Sequence, residues 1–284
     1  MAQFNIYFFK EKSRQIDLDE LINYFESIEG ITIDMDEQSV RFNYLHPRLG
    51  YQAQFLITPK STVPDIYRLN PKFLDLNFHL SMPILTPDFV TRHLMEMVKR
   101  ITERFNFHVY NEMLEDVLPF KMDVLLKVFS MVKEAYIEKN PVLLGDYHLL
   151  GTEKLSAVLR YLDDLVELQA YYKDLETYVP RYHFLSNENK DLAIGIEWKE
   201  QTLTVFPPYL DYVFYRLGDT LKVVPCKEAM PLLEKHLLDV PGFIKGTKVV
   251  PKKTAKKVFR IMKKTKFSQV GHTFQKASVR HLID

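Results

Sequence analysis

Apolar and polar positions over the first 110 residues switch repeatedly between a period of two and a period near 3.6, and each switch marks an element. Phe4, Ile6 and Phe8 share one face of a first strand. A helix follows, in which Asp17 with Glu20 three positions on resembles a capping box and Leu18, Leu21, Ile22, Phe25 and Ile28 form one stripe ended by Gly30. Short strands are expected over Ile31 to Asp34, Val40 to Leu45 and Tyr51 to Thr58, with a turn at His46 to Gly50. The clearest alternation runs from Leu74 to Met82, where leucines, Phe78 and Met82 interleave with Asp75, Asn77, His79 and Ser81. Thr86 and Pro87 open a helix with its stripe on Val90, Leu94, Val98, Ile101 and Phe105, and Phe107 to Tyr110 reads as a last strand. Two helices and about six strands in β-α-β-β-β-β-α-β order predict an antiparallel sheet with both helices on one face, and hence an α+β fold.

Beyond this unit the spacing turns helical from Leu118 to Lys139, stops at Asn140-Pro141, and turns helical again from about Thr152 to Tyr178. Short strands over Tyr182 to Leu185, Leu192 to Lys199, Thr202 to Phe206, Tyr212 to Arg216 and Leu221 to Val224 then predict a small antiparallel meander. A helix near Pro231 to Leu238 and a turn at Asp239-Val240-Pro241-Gly242 follow it. The division expected is an N-terminal α+β sandwich at 1–115, connecting helices at 116–178, a meander plus helix at 179–244 and a basic segment at 245–284. The two halves are expected to meet through the middle helices.

Composition narrows the class. In 284 residues with 38 Lys and Arg, 37 Asp and Glu and 13% aromatics, a real core is affordable without disulfides or metal staples. A single Cys226 excludes a disulfide framework and a cysteine-based zinc site, which favours a reducing, cytoplasmic setting. The segment Met1 to Gln15 places its apolar run before Lys10, Lys12 and Arg14, the reverse of a secretory signal, and no window is long and apolar enough to suggest a membrane span.

Recognisable chemistry is sparse. The nine histidines, among them His79, His93, His108, His148 and His183, show no metal-ligand spacing, so neither a metal site nor a cofactor is expected. No Gly-x-Ser-x-Gly elbow occurs. Asp191 and Glu197-Trp198-Lys199 have the residue types of a metal-dependent nuclease, but six residues along one strand would separate the carboxylates by roughly 20 Å. Gly242 to Lys248 approaches a phosphate loop with its spacing one residue short and its Thr before its Lys, and reads more simply as a basic turn. Cys226 follows Pro225 at a helix entry and reads as a buried structural thiol.

Charge is unevenly placed behind the near-neutral total. From Lys245 onward there are twelve Lys and Arg against Asp284 alone, a surplus of eleven positive charges in 40 residues, while the preceding 244 residues carry a surplus of ten negative ones. Ala255, Val258, Phe259, Ile261 and Met262 fall in one arc of a helix whose other side carries Lys256, Lys257, Arg260, Lys263 and Lys264, with Thr254 as a candidate cap. Lys245, Lys248, Lys252, Lys253, Lys256, Lys257, Arg260, Lys263, Lys264 and Lys266 are therefore the candidate anion-binding residues. A second candidate surface is the wet face of the N-terminal sheet, where Asn5, Arg41, Asn43, Gln52, Gln54, Asn77 and His79 have the parity opposite to the apolar positions.

Three readings of the tail compete. Its lysines could meet the acidic body of the same chain, contact nucleic-acid phosphates, or lie on an anionic membrane with Phe259, Ile261 and Met262 inserted. The functional expectation is a non-catalytic cytoplasmic binding or adaptor protein whose basic C-terminal segment engages an anionic partner, nucleic acid ahead of membrane. The alternatives are an enzyme acting on a phosphorylated or nucleotide substrate held by Lys245 and Lys248, and a structural interaction protein whose last helix is only part of the fold.

Overall fold

In the computed structural model, which describes residues 2–240, 242–271 and 273–284 and only the backbone at 143 and 144, the chain is α+β and forms two compact units, 1–146 and 147–284. The first contains β1 (Gln3–Glu11), α1 (Leu18–Glu26), β2 (Ile31–Met35), β3 (Val40–Leu45), β4 (Gln52–Ile57), β5 (Phe73–Pro83), α2 (Asp88–Phe105), β6 (His108–Tyr110) and α3 (Met122–Lys139). Its strands form one six-stranded sheet in the order β2-β3-β4-β5-β1-β6, antiparallel throughout.

The alternating apolar positions are buried as their period requires. Phe8 stacks on Phe78 with ring centroids 4.6 Å apart, Phe25 of α1 stacks on Phe42 at 4.1 Å, and Phe4 meets Phe129 of α3 edge-on at 5.1 Å. Val90, Leu94, Val98 and Ile101 of α2 are buried as well. Asp17 caps α1, its Oδ1 accepting from Glu20 N at 2.9 Å, but the Glu20 carboxylate pairs with Arg104 instead of returning to the cap. Thr86 does not cap α2: its hydroxyl donates to Pro83 O at 2.6 Å and Pro87 holds the cap position. The segment at 118–139 is helical only from Met122 and belongs to the first unit, where α3 packs on α2.

The second unit contains β7 (His148–Leu149), α4 (Thr152–Asp163), α5 (Leu165–Lys173), β8 (Thr177–Tyr178), β9 (His183–Ser186), β10 (Leu192–Lys199), β11 (Leu203–Phe206), β12 (Tyr212–Leu217), β13 (Thr220–Pro225), α6 (Cys226–Leu233), β14 (Leu238–Asp239), β15 (Lys248–Val249), α7 (Ala255–Lys264), β16 (Gln275–Lys276) and β17 (Leu282–Ile283). The single long helix expected from Thr152 is two helices broken at Asp164. The helix expected near Pro231 begins earlier, at Cys226, and contains that proline. Pro241 of the expected turn lies outside the described residues, as does Met1 of the N-terminal run.

The expected meander is not what forms. One sheet runs β13-β12-β10-β9-β16, with β10 and β12 parallel, and a second runs β14-β15-β11-β8. Parallel neighbours need a crossover of about a dozen residues, and residues 200–211 supply it, carrying β11 into the second sheet. Asp211 anchors the start of β12 beside β10: its N–H donates to Ile194 O at 2.7 Å and its Oδ2 accepts from Ile194 N at 2.8 Å. Gly195 lets the strands close, because a Cβ there would lie 2.6 Å from the Phe214 ring and 3.1 Å from Tyr212 O. Trp198 is fully buried among Phe206, Tyr215 and Phe259, and its Nε1 donates to Thr202 O at 2.8 Å.

The fully buried Phe78 touches Phe8, Phe25 and Phe55 at once, so Phe78→Ala should lower the unfolding free energy by about 3–5 kcal/mol in a denaturant titration; a loss below about 1 kcal/mol would contradict this packing.

Candidate functional site

The C-terminal helix is built on its apolar arc. Ala255, Val258 and Met262 are spaced three and four apart and are buried, Val258 and Met262 completely. Phe259 is half-buried with its ring 6.3 Å from that of Trp198, and α7 packs on α6 within the second unit. Thr254 does not cap with its side chain; its hydroxyl donates to His236 O and ties the helix start to the turn after α6. Of the three residues that a membrane-bound form would insert, Met262 is thus engaged in the core, while Phe259 and Ile261 are half-buried.

Docking fixes what faces outward. Lys256, Lys257, Arg260, Lys263 and Lys264 are exposed, and among the described residues no carboxylate lies within ion-pair distance of any of them. Lys245, Lys253 and Lys266 are exposed nearby in the chain. Two expected members are neutralised locally. Lys248 Nζ lies 2.9 Å from Asp239 and 3.7 Å from Glu234, and the hydrogen bond to Asp239 holds its ammonium above the ordinary lysine range. Lys252 Nζ lies 3.1 Å from Glu176. Arg260, Lys263 and Lys264 border a small cleft of about 190 Å³ with Gln201, Tyr215 and Glu200.

The phosphate-loop reading of Gly242 to Lys248 fails on local structure. Gly242 and Gly246 adopt positive φ in turns that lead into β15, not into a helix, and Thr247 is buried. Glu197, half of the nuclease-like pair, is bound by Arg216 at 2.8 Å, while Asp191 accepts from the Asn187 side chain at 3.0 Å. Cys226 is buried, and burial followed by the Asp211 charge pushes its thiol up to about 12, so it is not a thiolate near neutrality. Among the described residues no His, Cys, Asp and Glu group could hold a metal ion, and no helix is long and apolar enough to cross a membrane.

The outer face of the first unit's sheet divides in two. Over β2 to β5 and the start of β1 it presents polar side chains: Arg41, Gln52 and Gln54 are exposed and Asn5, Asn43 and Ser81 half-exposed. The register sets Thr32, Asn43, Gln54, Ser81 and Asn5 in one row across five strands. Toward β6 the face is closed, because Tyr7, Phe9 and Tyr110 are buried with Val63, Leu69 and Val117 from the segments after β4 and β6. His79 is thereby removed from the expected open surface, while Asn77 is half-exposed. His79 is only 9% exposed, with its ring 5.5 Å from Tyr7, and Asn77 adopts positive φ in a bulge that shifts the β1–β5 register between Phe8 and Phe9. Thr32 and Ser81 join the row although the sequence reading did not select them; the parity of Ser81 with His79, and the polar Thr32 between Ile31 and Ile33, were the available signals.

Beneath that cover, the Tyr7 hydroxyl donates to Glu112 at 3.3 Å, and burial with the nearby Glu112 charge pushes Tyr7 up to about 12. Comparison with known protein families, with curated proteins and with solved structures finds no match.

Burial holds the His79 imidazole below its ordinary pKa, against a smaller opposing pull from Asp75. The unfolded chain therefore takes up this proton more readily, and stability should fall as the pH drops through the ordinary histidine value of about 6.5. His79→Gln should flatten this decline in melts across that window; an unchanged slope would show that His79 does not contribute to it.

Proposed function

We propose that the chain binds nucleic acid through its phosphate backbone, using the outer face of α7, and serves as a binding or adaptor protein. The reading is carried by one observation: five exposed cations on a docked helix have no carboxylate within ion-pair distance among the described residues. The phosphates of a nucleic-acid backbone are the charge complement of such a row. Ten helical residues span about 15 Å, over which a duplex presents about nine phosphates.

The complete burial of Met262 and the half-burial of Phe259 and Ile261 favour a nucleic acid over a membrane, since part of the stripe that would enter lipid is engaged in the protein. Base stacking is not part of the proposal, because Tyr215 is buried and Phe259 half-buried. Affinity should therefore be tolerant of sequence and sensitive to salt. A cytoplasmic setting belongs to the same proposal, supported by the single, buried Cys226.

Fluorescence anisotropy with a labelled duplex tests it. With up to five contacts, the logarithm of the binding constant should fall against log salt with a slope approaching about −4.5, and Lys257→Gln with Lys263→Gln should reduce its magnitude by about 2 while the melting temperature stays unchanged. An unaltered slope in the variant, or binding to phosphatidylserine vesicles without binding to the duplex, would overturn the proposal.

A further inference from the structure

We infer that the cleft on the outer face of the first unit's sheet binds an uncharged, hydroxyl-rich ligand of the saccharide class. The cleft measures about 650 Å³, within the range of small-ligand sites. Its polar lining is Gln3, Thr32, Asn43, Gln52, Gln54 and Ser81, and none of the residues lining it is acidic, basic or a histidine. An anionic ligand would leave water there without gaining an opposite charge, and the carboxylate beside the lining, Asp34, is held by Asn43, whereas neutral hydroxyls exchange water for amides and hydroxyls of the same kind.

The amides are pre-oriented. Asn43 Nδ2 donates to Asp34 Oδ2 at 2.7 Å, and Gln54 Nε2 donates to Asn43 Oδ1 at 2.8 Å. A carboxylate can only accept, so Asp34 fixes the sense of the relay and leaves Gln54 Oε1 and one Gln54 N–H for a ligand. Cross-strand pairing sets Gln54 opposite Ser81, and the row from Thr32 to Ser81 extends about 14 Å at the usual strand spacing. Adjacent groups that each donate and accept are the complement of the vicinal hydroxyls of a sugar ring.

The apolar part of the lining suits the same ligand. Pro47, Pro83 and Leu45, the last 43% exposed, offer C–H surface on which the less polar face of a sugar ring can rest. A nucleobase is disfavoured because the lining aromatic, Tyr44, is buried and offers no stacking face. An extended peptide adding a strand would pair along the outer edge of β2, whereas the polar groups of this cleft lie on the face of the sheet from β2 to β5.

The test applies the full-length protein to an array of neutral and acidic glycans and titrates the bound ones calorimetrically at low and high salt. The expected result is binding of neutral glycans with an affinity that does not change with salt, weakened about tenfold or more by Gln54→Ala and by Ser81→Ala, both in chains whose melting temperature is unchanged. Lys257→Gln with Lys263→Gln should leave this binding intact, which separates the cleft from the α7 surface. Failure to bind any neutral glycan, binding confined to acidic glycans, or unchanged affinity in both cleft variants would overturn the inference.

Discussion

Phe8 and Phe78 stack at 4.6 Å in the middle of the first unit, and the side of the sheet on which they lie decides what every other strand position does. Side chains along a strand alternate between faces. With Phe8, Phe42, Phe55 and Phe78 committed to the helices, the neighbouring positions Tyr7, Asn43, Gln54 and His79 must turn the other way. The outer face then has two fates. Near β6 it carries aromatics, Tyr7, Phe9 and Tyr110, and is sealed by Val63, Leu69 and Val117; over β2 to β4 it carries amides and stays accessible. One packing decision thus produces both the buried Tyr7–His79 pair and the uncharged cleft.

The second unit repeats the logic on a helix. Val258 and Met262 can be buried in the second unit only if Lys256, Lys257, Arg260, Lys263 and Lys264 face away. The basic segment is not a uniform cationic tail, because Lys248 and Lys252 are spent on Asp239, Glu234 and Glu176. What remains is a compact row on a rigid element. Such a surface holds its charges in fixed register, whereas a disordered basic segment would have to lose conformational freedom on binding.

Periodicity made the first unit legible: its element order, its antiparallel sheet and its helix stripes follow from alternation and from 3.6-residue spacing. The amphipathic α7 was legible for the same reason. What periodicity missed depends on contacts distant in sequence. The bulge at Leu76 and Asn77 leaves the parity of its neighbours intact, so nothing in the alternation marks it, and the cover over His79 comes from separate segments. The parallel pairing of β10 and β12 rests on Asp211 and on the space at Gly195. The near-continuous apolar run Ala193 to Ile196 was the one local sign that β10 is buried on both faces. Of the anion-binding candidates, sequence named all five residues on α7's outer face but could not see the carboxylates that claim Lys248 and Lys252.

The central claim is that α7 presents its cations to a phosphate backbone. Lysine acetylation of the native protein, read residue by residue by mass spectrometry with and without a saturating DNA duplex, addresses it directly. The account predicts protection of Lys256, Lys257, Lys263 and Lys264 on binding, with lysines of the first unit such as Lys60 and Lys127 reacting as before. Protection centred on the first unit, or no protection along α7 while the duplex is bound, would contradict it.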